Sequence, residues 1–374
     1  MKYYCFICDT PYHLLTCLNL YIYLKNKDCK ADIFIGDSFR SHVEISSNLR
    51  RIGIFDDVID FQIPHYYKDK IKWIESKVEE LIAERKYLIK STDGSIDFKR
   101  RYTDIFFAYN NTFSCVMRQI YPNALMHFYE DGTSTYLGYA VGISCIRKML
   151  YLLTKKHLKA YKEFDVFVNN RELYLKFHPE QKIRVKQLPS LYYDDIAFQN
   201  ILDFVFTNKK TYSYSKNHII FLTQPYDFMT KKSECSIAKF YDTELELIKS
   251  LITLKDDTIV RVHPRESIKN RYQGLKIDTG NNIWEILCAK DIEEDHVLIS
   301  WCSTAQLVPK LFFNKEPYLI FTFPLIKDEL SKNRIKGIEK LVRLIADLYK
   351  NKNKIIVLDD AKDLKTILNK IKNS

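Results

Sequence analysis

The sequence predicts an α/β protein built as two Rossmann-like, doubly wound lobes, and three observations predict it. The chain has 374 residues, longer than one ordinary domain, so two compact lobes that each bury a core are the expected division. Short apolar runs rich in Val, Ile, Tyr and Phe alternate with stretches of helical periodicity, the rhythm of β-α-β units around a parallel sheet. That rhythm is interrupted by the polar segment TNKKTYSYSKN (207–217), which precedes the strong apolar run HIIFLT. The boundary therefore falls between residues 206 and 207, giving lobes 1–206 and 207–374.

In the first lobe KYYCFIC reads as a strand, DTP as the turn after it, and the periodic stretch from Tyr12 to Lys25 as a helix. ADIFIG supplies the second strand. A helix starting near Ser41, a short strand at DVIDF, a long amphipathic helix at 69–90 and strands at DIFFAY and ALMHFY continue the alternation. Residues 133–160 carry a helical pattern, DVFVNN is a further strand, and the stretch to Phe206 completes the lobe. After the boundary come HIIFLT, a helix around 240–254, the strand TIVRV ending in HPRE, and a helix at 282–290. The strand HVLIS, a helix from Ser303, the strand PYLIF and two closing helices flanking KIIVL finish the chain.

Composition narrows the function. Hydrophobic residues make up 46% and charged residues 28%, which is globular and neither disordered nor fibrous. Tyr (26) and Phe (23) far outnumber Gly (9) and Pro (10), favouring sheets and aromatic-lined sites over flexible linkers. Several of the nine cysteines lie inside apolar runs, Cys5 and Cys8 of KYYCFIC among them, so they read as buried thiols of a reducing compartment and not as a disulfide framework or zinc site. The apolar run from Tyr3 to Leu24 is broken by Asp9, Thr10, Pro11, His13 and Asn19, so neither a secretory signal nor a membrane span is expected and a cytoplasmic location follows. A net charge of +11 suits an acidic ligand or peripheral contact with an anionic membrane face. Its lysines are spread along the chain without a nucleic-acid-reading motif, so nucleic acid is not an expected partner, and a solvated basic surface is the plain alternative. A homodimer is compatible with the sequence and is not demanded by it.

Ligands of open α/β sheets bind beyond the carboxyl ends of the strands, and four motifs lie there. Glu130-Asp131-Gly132 follows ALMHFY and places two carboxylates beside a glycine that lets a ligand approach, suited to proton abstraction or to sugar hydroxyls. An ordinary turn is its alternative. His263-Pro264-Arg265 follows TIVRV and pairs a rigidly held imidazole with a guanidinium, suited to a phosphate whose charge grows as it leaves. The same dipeptide at His178-Pro179 has no clear β-run before it and reads as a surface loop. Ser303 and Thr304, after Ser300 at the end of HVLIS, open a helix whose free N–H groups bind phosphate, with plain N-capping as the alternative. Asp227, in Thr223-Gln224-Pro225-Tyr226-Asp227 after HIIFLT, offers a base or a helix cap. Thr10, Pro11, Tyr12 and His13 form a similar loop after the first strand, where acceptor contacts or a proline-initiated helix are expected. The chain has no Asp-x-Asp, GxxxxGK[ST], GxGxxG, HExxH or GxSxG motif, which argues against metal-bridged diphosphate chemistry, phosphate-loop hydrolysis, nicotinamide binding and a serine nucleophile.

The ordered set TPYHLL, EDG, LTQP, HPRE and a late Ser-Thr pair resembles glycosyltransferase family 52, the bacterial sialyltransferases of lipooligosaccharide and capsule synthesis, across roughly residues 3–325. The resemblance implies the GT-B type of α/β fold, two Rossmann-like domains facing a central cleft. It also implies metal-independent, inverting transfer of sialic acid from CMP-sialic acid to a glycan acceptor, with no cofactor. Residues 1–206 would then bind the acceptor, a galactose-terminated lipooligosaccharide or capsule glycan, and 207–374 the CMP-sugar. Carried over, His263 would contact the departing phosphate, and Ser303 and Thr304 would bind it, with Gly132, Pro264, Arg265 and Ser300 beside them as donor contacts. The family's general base is a carboxylate just after the turn opening the donor lobe. Here Tyr226 intervenes after Pro225, leaving Asp227, Asp131 with its neighbour Glu130, and Asp242 as candidates. A UDP-hexose transferase of the same fold and a non-catalytic basic protein that binds nucleic acid or capsule polysaccharide with strong salt dependence are the competing readings.

Overall fold

The computed structural model describes residues 1–25, 28–39, 41–63, 83–137, 165–180, 183–189, 195–206, 214, 218–224, 234–263, 266, 270–278 and 283–373. The chain divides into Met1–Thr207 and Asn208–Ser374.

The first unit holds seven strands: β1 (Lys2–Cys8), β2 (Cys29–Gly36), β3 (Asp57–Phe61), β4 (Asp104–Phe107), β5 (Leu125–Tyr129), β6 (Asp165–Val168) and β7 (Arg184–Gln187). They form one parallel sheet in the order β3-β2-β1-β4-β5-β6-β7. Described helices are α1 (Pro11–Leu24), α2 (His42–Ile52), α3 (Glu84–Ser91), α4 (Thr112–Ile120), α5 (Thr133–Tyr136), α6 (Arg171–Phe177) and α7 (Ile196–Phe206). Strands of a parallel sheet are covered on both faces, so they carry unbroken apolar runs; β4 and β6 are buried at every position. The many phenylalanines find their use here. Phe6 stacks on Phe106 at 4.8 Å and Phe61 on Phe113 at 4.0 Å, contacts that bind the central strands to one another and β3 to α4. Truncating one such ring to alanine costs about 3–5 kcal/mol.

The second unit repeats the plan with β8 (Ile219–Leu222), β9 (Thr258–Arg261), β10 (Lys276–Asp278), β11 (Val297–Ser300), β12 (Tyr318–Phe321) and β13 (Ile355–Val357). The order is β10-β9-β8-β11-β12-β13, all parallel. Its described helices are α8 (Glu234–Ile252), α9 (Trp284–Lys290), α10 (Thr304–Phe313), α11 (Lys332–Ala346) and α12 (Leu364–Lys372). The core joins Ile219, Phe221, Val260 and Ile299 of the sheet to Leu247, Leu251, Leu364 and Leu368 of α8 and α12. No helix among the described residues is long and apolar enough to cross a membrane.

Both sheets reverse direction of growth beside their first strand, between β1 and β4 and between β8 and β11. At such a switch point adjacent loops diverge and leave room for a ligand. Strands β7 and β10 are additions to the sequence expectation: both lie at sheet edges, and RVKQ has a single buried residue, so neither shows the apolar run that marks a central strand. Of the helices expected at 69–90 and 133–160, the described parts are Glu84–Ser91 and Thr133–Tyr136; residues 64–82 and 138–160 lie outside the described residues. His178 is the C-cap of α6, the end of a helix and not of a strand.

Candidate functional site

In the first unit the loops after β1, β4, β5 and β6 are tied together by side chains. Thr10 is the N-cap of α1, its hydroxyl accepting the His13 N–H at 3.2 Å, and Pro11 follows in the first turn, where its missing N–H costs nothing. This start turns His13 inward, and its side chain is 1% exposed. Nδ1 accepts the Asp9 backbone N–H at 3.3 Å, so the ring proton sits on Nε2 and donates to Asp131 Oδ1 at 2.8 Å. His13, expected as an acceptor contact, is thus enclosed behind Asp131.

Successive side chains leaving a strand point to opposite sides, and the pair after β5 separates accordingly. Glu130 is completely buried. Its carboxylate accepts the Tyr12 hydroxyl at 3.0 Å, the Tyr136 hydroxyl at 2.7 Å and the Asn169 N–H at 2.8 Å. Burial pushes its carboxyl above the usual range, and these donors offset part of that rise. Glu130 therefore joins the β1, β5 and β6 loops and exposes no surface of its own. Asp131 is the partner that reaches the surface, with its side chain 33% exposed. Ser134 donates to Oδ2 at 3.0 Å while His13 holds Oδ1, and Thr135 accepts the Asp131 N–H at 2.7 Å. The turn requires Gly132, whose φ of 62° lies in the left-handed region. Tyr12, expected among the acceptor contacts, spans the loops: its hydroxyl donates to Glu130 and accepts from Asn169 Nδ2 at 3.2 Å.

Asp9 was absent from the sequence candidates and stands at the centre of this arrangement. It is buried, accepts from Asn111 Nδ2 at 2.9 Å, and burial raises its carboxyl above the ordinary range. Only the tertiary pairing of β1 with β4 brings Asn111 to it. Asn169, which holds Glu130, carried no motif beyond the Asn-Asn pair ending DVFVNN.

In the second unit three candidate loops leave neighbouring strands β9, β8 and β11. His263 is half-buried just beyond β9; its N–H donates to Thr223 Oγ1 at 2.9 Å and its carbonyl accepts the Glu266 N–H at 2.9 Å. Glu266 is buried beneath this turn. It accepts the Thr223 hydroxyl, the Tyr272 hydroxyl at 2.7 Å and the Arg271 guanidinium, whose other arm reaches Glu244 at 2.6 Å. Pro264, Arg265 and Asp227 lie outside the described residues. Asp242, the remaining base candidate, is exposed on α8. Arg261, two residues before His263, is paired with buried Asp278 and stacked over Trp284.

The turn after β11 shows how much of a Ser-Thr motif is internal. Ser300 is buried; its hydroxyl donates to Gln306 Oε1 at 2.7 Å and accepts the Ser303 N–H at 2.9 Å. Gln306 donates in turn to the carbonyls of Leu298 and Ile320, each at 2.9 Å, locking α10 onto the sheet. Ser300 thereby serves the turn, against its expected place among donor contacts. Ser303 caps α10, accepting the Ala305 N–H at 3.3 Å, and Thr304 is the first residue of the helix.

Among the described residues one His/Asp group has ligand atoms within 4.8 Å of one another, namely His218, Asp295 and His296. It lies at the amino ends of β8 and β11, the opposite edge from the loops above. His296 Nδ1 accepts the Glu293 N–H at 3.1 Å and Nε2 faces the Tyr214 carbonyl at 3.0 Å, so both ring nitrogens are engaged.

No protein-family model matches the chain, and no curated protein matches it in sequence. Solved structures do share its fold. The GT-B domain, residues 113–497, of a sialyltransferase from Photobacterium damselae aligns with a TM-score of 0.53 at 12% identity, covering 96% of this chain and 100% of that one. Arabidopsis thaliana UGT89C1 complexed with UDP aligns at 0.53 and 10% identity, covering 99% and 90%. The architecture is that of the GT-B structures, two parallel-sheet α/β domains.

Proposed function

We propose that the protein is a glycosyltransferase that moves sialic acid from CMP-sialic acid to a hydroxyl of a glycan acceptor, with inversion and without a metal. The observation that carries the reading is Asp131. A part-exposed carboxylate at the carboxyl end of β5, held at one oxygen by His13 and at the other by Ser134, is an oriented proton acceptor. His13 cannot take the proton itself, because Nε2 already carries one and Nδ1 is occupied by the Asp9 N–H. The acceptor hydroxyl gives its proton to Asp131 and its oxygen attacks the anomeric carbon from the face opposite CMP. Attack from the face opposite the leaving group inverts the configuration. The transition state is oxocarbenium-like, and negative charge collects on the departing phosphate. His263, Arg265 and the start of α10 at Ser303 and Thr304 are the groups to receive it, which leaves no step in need of a metal.

The choice of donor rests on the ordered motifs, since the fold is shared with a UDP-bound plant structure and a fold does not select a substrate. A UDP-hexose is therefore the second reading. A galactose-terminated lipooligosaccharide or capsule glycan is the proposed acceptor, reached from the cytoplasmic side of a membrane. Incubating the protein with CMP-sialic acid, and separately with UDP-hexoses, while following nucleotide release tests the donor. Release of CMP is expected; release of UDP alone overturns the sialyl reading, and release of neither overturns the transferase.

A further inference from the structure

We infer that Thr223 and Glu266 form a positioning device for His263. This rests on the reading that the His263 imidazole acts at the departing phosphate. The His263 peptide is clamped at both ends, its N–H by the Thr223 hydroxyl oxygen and its carbonyl by the Glu266 N–H, each at 2.9 Å. The clamp has a polarity. A threonine hydroxyl has one proton, and the Glu266 carboxylate takes it, so the lone pairs of Thr223 Oγ1 are left to face the His263 N–H. Were Glu266 to lose its charge and its acceptor role, the hydroxyl could rotate and the His263 N–H would lose its partner.

Glu266 is held in turn. Tyr272 donates to the same oxygen as Arg271, and the Arg271 guanidinium lies 3.8 Å from the ring centre of Tyr241 while its second arm engages Glu244. A buried carboxylate with several charge-assisted bonds has one orientation available to it. The consequence is mechanical. The β8 loop, which begins at Thr223 and leads to Asp227, and the β9 loop, which carries His263, are joined side by side through one hydroxyl. Truncation of groups that set such geometry changes turnover through misplacement and leaves ligand affinity largely intact.

Thr223→Val keeps the shape of the side chain and removes the hydroxyl, and Thr223→Ser restores it. Two readouts test the device. With 15N-histidine-labelled full-length protein, the His263 amide resonance, assigned by its loss in His263→Ala, is expected to move in Thr223→Val and in Glu266→Gln and to stay in Thr223→Ser. An unmoved amide in Thr223→Val overturns the clamp whatever the enzyme does. In CMP-release kinetics, Thr223→Val is expected to lower kcat about tenfold or more with KM for CMP-sialic acid nearly unchanged, on the scale of a misplaced catalytic group. Thr223→Ser should recover most of it, and Thr223→Val should add nothing in the His263→Ala background. An equal loss in both backgrounds shows that the effect bypasses His263 and overturns the inference. Native turnover of His263→Ala alone overturns the underlying reading of His263, while the amide shift still decides whether the clamp exists.

Discussion

Replacing Asp131 by asparagine separates proton acceptance from architecture. The amide oxygen can still accept from His13 Nε2, now 2.8 Å from Oδ1, and the amide nitrogen can face the Ser134 hydroxyl, now 3.0 Å from Oδ2, so the loop has no reason to move. What disappears is the ability to take a proton. General-base catalysis contributes typically 10²–10⁴-fold, about 2.7–5.4 kcal/mol of barrier, and that is the expected loss in kcat. The cost in stability is smaller. Two hydrogen bonds to a charged, part-exposed acceptor become neutral ones, about 1 kcal/mol in sum, which lowers the melting temperature by roughly 2–4 °C for a domain of this size. The assay is CMP release with saturating acceptor, run beside thermal unfolding. Turnover within threefold of the native rate in a protein that melts normally would refute Asp131 as the base.

Four further outcomes follow. His263→Ala should lower turnover about 100-fold, the scale of one preorganised donor, measured as donor consumption under saturating CMP-sialic acid; an unchanged rate removes its role. His13→Ala should slow turnover at least tenfold while His13→Gln, which keeps a donor towards Asp131, slows it less; equal rates in the two variants would show that orientation of the carboxylate is irrelevant. Glu130 has a raised carboxyl pKa in the folded state, so the folded protein holds that proton more tightly than the unfolded one. Its contribution is greatest below the ordinary glutamate range and falls as pH rises through the folded value, so Glu130→Gln should gain in melting temperature relative to the native protein across that rise; a pH-independent difference contradicts it. Gln306→Ala strips the Leu298 and Ile320 carbonyls and the Ser300 hydroxyl of their buried partner, and should cost about 2–4 kcal/mol in denaturant unfolding.

How much was legible follows from the range of each signal. Apolar runs such as KYYCFIC and HIIFLT announced β1 and β8 because a strand covered on both faces must be apolar throughout. RVKQ and KID at the sheet edges escaped because an edge strand has little to bury. The EDG motif was visible as a pair of carboxylates, but which of them is usable depended on the side of β5 each one faces and on Tyr12, Tyr136 and Asn169 arriving from elsewhere.

By itself, then, the sequence determined the two-lobed α/β class, the strand ends at which polar loops sit, and the candidate side chains on those loops, all of which depend on periodicity and composition within a few residues. Tertiary structure alone decided that Glu130 is enclosed and Asp131 is presented, that His13 stands behind Asp131, 118 residues away in the chain, and that Thr223 links to Glu266 and His263 across adjacent strands. The reason is that hydrogen bonding and burial are set by distances in space. A parallel sheet brings together loops whose separation in sequence carries no trace of their meeting.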